Sequence, residues 1–167
     1  GGLAKPVNPA IGTVCALITM VVFPGIAVGQ DSFVITGAET ATNGGNTLSG
    51  GDNITVTETG SVTTNVRLVH GLDASGNTNI LTNSGTVTTS GQFGRGIYAN
   101  GANNSLSNNG TVTTSGQAGY GIYANGANNS LSNNGILTTT GTNADGIFAR
   151  GNSNVIINGG TITTEGT

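Results

Sequence analysis

Apolar residues in this chain recur in columns. Val62, Val87, Val112, Leu137 and Ile162 stand 25 residues apart. So do Leu72, Ile97, Ile122 and Ile147, each followed two residues later by Ala74, Ala99, Ala124 or Ala149. A third column at the same spacing is Val56, Leu81, Leu106, Leu131 and Ile156. A two-residue step between apolar positions is strand alternation. Between the columns lie Gly, Asn and Ser, which favour tight turns. Each period therefore predicts three short strands and three corners. The spacing fits neither heptads nor the roughly 33–47-residue helical repeats. It predicts an all-β fold, a parallel β-helix (β-solenoid) with three short strands per 25-residue coil. Successive coils would stack about 4.8 Å apart.

The repeat is close to literal in the middle of the chain. Residues 86–110 and 111–135 differ only at Phe93/Ala118 and Arg95/Tyr120. Residues 136–160 and 61–85 are looser copies. Three segments follow: 1–29, 30–59 as an N-terminal cap or irregular first coil, and 60–167 as repeats. A solenoid coil touches only its neighbours, so like must stack on like. Asn83, Asn108, Asn133 and Asn158 form a column at a strand end, where side-chain amides can bond from coil to coil. Gly71, Gly96, Gly121 and Gly146 are read as corners that need a positive φ. Alternation places Val87 and Thr89 on one face and Thr86 and Thr88 on the other. Threonine hydroxyls can form ladders across such strands.

Two outward columns are candidates for binding. Tyr98, Tyr123 and Phe148 follow Asp73 between the inward Ile and Ala positions. Stacked aromatics there serve either as a sugar- or receptor-binding strip or as a stack that covers the sheet. The rows Thr86/Thr88 and Thr111/Thr113 form a regular hydroxyl array that resembles the flat faces of ice-binding proteins. Ser61 and Ile136 interrupt that array.

Composition narrows the function classes. Charged residues are 7% of the chain, and the net charge is −3. Only Lys5, Arg67, Arg95 and Arg150 are basic, so no nucleic-acid surface is expected. The single cysteine, Cys15, excludes an intrachain disulfide framework. His70, the one histidine, lacks a triad or metal partner and is read as a solvated corner residue, in a column continued by Arg95, Tyr120 and Asp145. No two carboxylates share a coil in the way glycoside hydrolysis requires. No catalytic, metal or cofactor site is therefore expected. Lys5, the apolar run from Ile11 to Gly29 and the small residues Ala27 and Gly29 predict a secretory signal-peptide helix over 1–29. The absence of an initiator Met and the end in mid-pattern suggest a piece of a longer chain.

The segments "GIYANG", "NSLSNNGTV" and "NSGTVTTSG" resemble the passenger repeats of type V autotransporters, the β-helical surface proteins and adhesins of bacteria. The resemblance covers about residues 60–167. It implies export, display at the bacterial cell surface or outer membrane, and a stalk or adhesin role. The implied partners are the secretion machinery in transit and then a host-cell receptor, a carbohydrate or like chains. The alternative is a small secreted solenoid that binds carbohydrate, receptor or ice through its Tyr or Thr columns.

Overall fold

The computed structural model describes residues 30–166. The expected signal peptide lies outside the described residues. Within them, short strands, all but one of four residues, wind into a parallel β-solenoid of about five turns. The first coil contains β1 (Ser32–Ile35), β2 (Ala38–Glu39) and a 3-10 turn at Thr42–Gly45. The second contains β3 (Asn53–Val56), β4 (Ser61–Thr64) and β5 (Leu72–Ser75). The third contains β6 (Ile80–Asn83), β7 (Thr86–Thr89) and β8 (Ile97–Asn100). The fourth has β9 (Ser105–Asn108), β10 (Thr111–Thr114) and β11 (Ile122–Asn125). The fifth has β12 (Ser130–Asn133), β13 (Ile136–Thr139) and β14 (Ile147–Arg150). β15 (Val155–Asn158) and β16 (Thr161–Thr164) begin a sixth.

Three parallel sheets run along the stack. Sheet A has the order β1-β3-β6-β9-β12-β15, sheet B β2-β4-β7-β10-β13-β16, and sheet C β5-β8-β11-β14. The predicted columns are the registers of these sheets. Val62, Val87, Val112 and Leu137 lie over one another in sheet B and are fully buried. Leu72, Ile97 and Ile122 do the same in sheet C, with Ala74, Ala99 and Ala124. Burying each Leu, Ile or Val contributes about 1.5–3 kcal/mol. With so few large side chains per coil, the remaining inward positions must be satisfied by hydrogen bonds.

Those bonds come from buried amides and hydroxyls. Asn83 Nδ2 donates to Asn108 Oδ1, Asn108 to Asn133 and Asn133 to Asn158, each at 2.8 Å. The same nitrogens also donate to backbone carbonyls of the next coil, at Thr111, Ile136 and Thr161. A second ladder, at Asn79, Asn104, Asn129 and Asn154, is absent from the sequence reading. There each Oδ1 accepts a backbone N–H from the coil before, as at Asn79 N to Asn104 Oδ1, 2.8 Å. The inward threonines do not form ladders. Thr64, Thr89, Thr114 and Thr139 donate instead to carbonyls five residues ahead, at Val69, Gly94, Gly119 and Ala144. Each hydroxyl thus ties the sheet B strand to its following corner.

Two expectations need correction. The third apolar column begins at Ile54, not Val56. The step from β3 to β6 is 27 residues, so Ile54 lies under Leu81 and Val56 lies under Asn83. Asn83 Oδ1 consequently has no donor below it and is buried without a partner. Secondly, Gly71, Gly96, Gly121 and Gly146 do not have positive φ. Their constraint is space: a Cβ on Gly96 would lie 2.6 Å from the carbonyl oxygen of Gly121 and would collide with the Val112 side chain. Within the repeats the positive-φ glycines are Gly76, Gly101, Gly126 and Gly151, at the corner after sheet C; Gly44, Gly45 and Gly51 share that conformation in the segment before them.

The first coil is closed differently. Sheet C has no strand there, and the segment around the 3-10 turn takes its place. Asn43, buried, donates from Nδ2 to Asp73 O at 2.7 Å and accepts from Asp73 N at 2.8 Å through Oδ1. Its amide therefore pairs with the edge of β5 as a strand would. Leu48 bridges to Ala74, and Thr42 donates to His70 O. Asp52 starts the second Asn ladder and is also held by the N–H groups of Asp31 and Ser49. Burial works to raise its pKa, but the backbone and Ser49 donors outweigh it and hold the carboxyl below its ordinary value.

Replacing an interior ladder residue strands polar atoms in both neighbouring coils. Asn108→Ala should cost about 2–4 kcal/mol, because buried unsatisfied donors and acceptors cost about 1–3 kcal/mol each. Ser105→Ala, on the outward face of the same strand, should change stability by less than about 0.5 kcal/mol. Urea unfolding of both variants checks this difference.

Candidate functional site

Sheet C carries the chain's most varied outward surface. Asp73, Tyr98, Tyr123 and Phe148 are in register on β5, β8, β11 and β14. Three residues before each strand position lies the corner column His70, Arg95, Tyr120 and Asp145. The first three corner side chains, His70, Arg95 and Tyr120, fold over the outward column and bridge adjacent coils. His70 meets Tyr98 with ring centroids 4.7 Å apart. The Arg95 guanidinium lies 4.6 Å from the Tyr98 ring and 4.5 Å from that of Tyr123. Tyr120 packs on Tyr123 at 5.5 Å and on Phe148 at 5.4 Å. The outward rings also stack directly, Tyr98 on Tyr123 at 5.4 Å and Tyr123 on Phe148 at 5.3 Å. Cation–π and aromatic contacts of this kind contribute about 0.5–2 kcal/mol each.

This packing changes the reading of two positions. His70 is not a solvated corner residue: it is 7% exposed. Tyr123, expected to face a ligand, is also 7% exposed, covered by Arg95 and Tyr120. Tyr98 is half-buried, and Phe148 is the open member of the column. The aromatic column therefore acts as a cover over sheet C at Tyr98 and Tyr123.

The electrostatics follow from Arg95. Its backbone N–H donates to His70 Nδ1 at 3.1 Å. A neutral His70 must then carry its proton on Nε2, which stands 3.3 Å from Arg95 Nη1. Protonating Nδ1 would break the backbone bond and place a second positive charge beside the guanidinium. Burial first, and then Arg95, lower the His70 pKa from 6.5 to about 4. Asp73 is pushed the other way: burial raises its pKa and Arg95 partly offsets the rise. Tyr98 is raised by burial too, again against Arg95. Asp73 Oδ1 and Arg95 Nε are both buried without a hydrogen-bond partner.

The other candidate residues lie elsewhere. Thr86, Thr88, Thr111 and Thr113 point outward from sheet B, in register and partly or fully exposed. Asn83, Asn108, Asn133 and Asn158 run along the end of the sheet A strands, the first three buried in the core. The structure thus keeps the Tyr and Thr columns on separate faces. Charge is segregated in the same way. From Ser61 to Thr164, the ionisable side chains other than tyrosine are Arg67, His70, Asp73, Arg95, Asp145 and Arg150. All lie on sheet C or on the corner that precedes it. Among the aromatic residues described, all but Phe33 lie there too. The sequence signal for this ridge was the position of the differences: Phe93/Ala118 and Arg95/Tyr120 both fall on it.

Comparison with protein-family models, with curated proteins and with solved structures finds no match for this chain.

The depressed His70 pKa has a signed consequence. The unfolded chain binds a proton at this group below 6.5, whereas the folded chain resists it until about 4. Stability from His70 is therefore complete above pH 6.5 and is lost as the pH falls towards 4. The loss should total roughly 3 kcal/mol. Asp73, with its raised pKa, opposes the trend at the acid end of the window. Denaturant unfolding from pH 7 to pH 4 should show the slope, and His70→Gln should flatten it.

Proposed function

We propose that the coils form an extensible, non-enzymatic rod in an exported, surface-displayed protein of autotransporter type. The observation that carries the rod is the interchangeability of its coils. β9, β10 and β11 contact the coil before and the coil after in the same register and through the same 2.8 Å Asn bonds. A coil can be added or removed while the strand registers and Asn bonds of the remaining coils are kept, only the contacts of the variable ridge on sheet C being exchanged. Each coil then contributes about 4.8 Å of length. The weak charge of the coils and their local, coil-by-coil contacts suit passage through a pore unfolded, with folding propagating along the stack afterwards. The resemblance of the repeats to autotransporter passengers, and the signal-like segment before them, support export and display. On this reading the chain spaces an adhesive or effector segment away from the cell, and its partners beyond the secretion machinery are met at the surface.

A second reading, a solenoid that binds through its own side, is favoured by one observation: the collection of charge and aromatic rings on the sheet C ridge. Its ligand classes are a host receptor or a carbohydrate.

Deleting residues 111–135 tests the rod. The shortened chain should keep a parallel-β circular dichroism spectrum and cooperative unfolding, with a modest fall in melting temperature. Duplicating the same residues should raise it. Loss of folding on deletion would show that the coils are not interchangeable. Display is tested separately, by antibodies raised against residues 96–135. They should label intact producing cells, whereas labelling only after lysis would overturn the surface assignment.

A further inference from the structure

Among the described residues, the outward side of sheet B keeps one residue type from coil to coil. Thr63, Thr88, Thr113, Thr138 and Thr163 lie over one another in register. Thr86, Thr111 and Thr161 form a second column two residues earlier, with Ser61 and Ile136 at its remaining positions. The outward side of sheet A is not kept in this way: Thr55, Thr82, Ser107, Ser132 and Ile157 share one column there. A general strand preference for threonine would act on both sheets alike. The difference points to what sheet B faces. We propose that this threonine array binds ice, the ordered surface of crystalline water.

Repetition and composition together define the ligand class. The same pair of side chains repeated along successive coils adds contacts only with a ligand that itself repeats. Parallel strands stand about 4.8 Å apart, and alternate residues of one strand about 6.6 Å apart. Sheet B therefore presents hydroxyls on a grid whose two spacings are close to the oxygen repeats on a prism face of hexagonal ice. Nucleic acid also repeats, but it is held by positive groups. A crystalline polysaccharide repeats too, and it needs flat aromatic rings to cover its sugar faces. The sheet B strands from Ser61 to Thr164 contain no charged and no aromatic residue. They offer hydroxyl and methyl groups, which order water without competing charge.

The hydroxyls of the array are also free for the role. The inward threonines of the same strands, Thr64, Thr89, Thr114 and Thr139, all donate to backbone carbonyls. No outward hydroxyl of sheet B bonds to another described residue, and each of these residues is partly or fully exposed. Their hydrogen bonds go to water, and bonds to ordered water are nearly as favourable as direct ones. Threonine is stiff at χ1, so the grid loses little freedom when water orders on it. Ile136 keeps the branched shape but lacks the hydroxyl, which leaves one gap in the grid. The proposal uses the stacking of the coils and is independent of export and display.

Ice-growth microscopy and freezing-point measurement on the full chain test it. The chain should shape growing crystals, open a gap between the melting and freezing points of ice, and enter slowly grown ice when fluorescently labelled. Thr88→Lys and Thr113→Lys should each remove most of the gap with the protein's own melting temperature unchanged. Ser107→Lys, on sheet A, should leave the gap intact, and Ile136→Thr, which completes the grid, should widen it. If a lysine variant does not fold, Thr138→Tyr provides the same test from the neighbouring coil. Exclusion of the labelled chain from ice, with no gap, would overturn the proposal. So would a gap that survives the sheet B substitutions, or retention by microcrystalline cellulose or chitin in place of ice.

Discussion

A buried side-chain amide satisfied by another copy of itself links each coil to the next. Asn108 takes a hydrogen bond from Asn83 and gives one to Asn133, each at 2.8 Å. Neither bond can be made by a residue of another type without leaving a polar atom unpaired in the core. The ladder therefore fixes register as well as stability. A slip of one residue would turn the amides outward and bring neighbouring hydroxyls inward. The second ladder acts on the backbone, giving each turn N–H an acceptor from the coil above.

That constraint accounts for the repetition of the sequence. Gly96 must remain glycine because the carbonyl of Gly121 stands where its Cβ would be. Thr89 must reach the Gly94 carbonyl, and Thr114 that of Gly119. Each such contact joins a residue to its own equivalent or to a fixed position in the same coil. Changing one coil alone breaks contacts on both sides, so copies stay alike. A duplicated coil, by contrast, satisfies every contact at once.

The same logic shows what the sequence could reveal. The apolar columns and the first Asn ladder were legible because they repeat at constant spacing. The column start was misplaced because the β3-to-β6 step is two residues longer, and counting 25 back from Leu81 gives Val56 instead of Ile54. The second Asn ladder was equally periodic and could have been found by the same counting. His70 was misread for a different reason. Its column changes identity in every coil, and variation was taken as a sign of solvent. In the structure Arg95 and Tyr120 each fit against two rings that belong to different coils, so complementarity is diagonal: Arg95 serves Tyr98 and Tyr123, and Tyr120 serves Tyr123 and Phe148. A column read by itself cannot show a fit between columns. An open hollow beside β5, lined by residues of the 42–48 segment and by Asp73, was hidden as well, since it arises where the first coil lacks a sheet C strand.

Translational symmetry also decides where a binding site can form. A coil stacked on an identical coil fills the space beneath it, and a regular stack presents ridges and flat faces without hollows. A concave site needs a break in the repeat. Among the described residues the main break is the first coil, where Asn43 imitates a strand edge with one amide and the loop around it cannot follow β5 further. The ridge supplies chemistry but little depth, since Arg95 and Tyr120 already occupy the faces of its rings. The cap leaves an open hollow beside β5, lined by Thr42, Thr47 and Asp73, and Asp73 belongs to both, as the first member of the aromatic column and a wall of the hollow. The place where repetition fails is thus also the place where the charged ridge begins and an open hollow adjoins it.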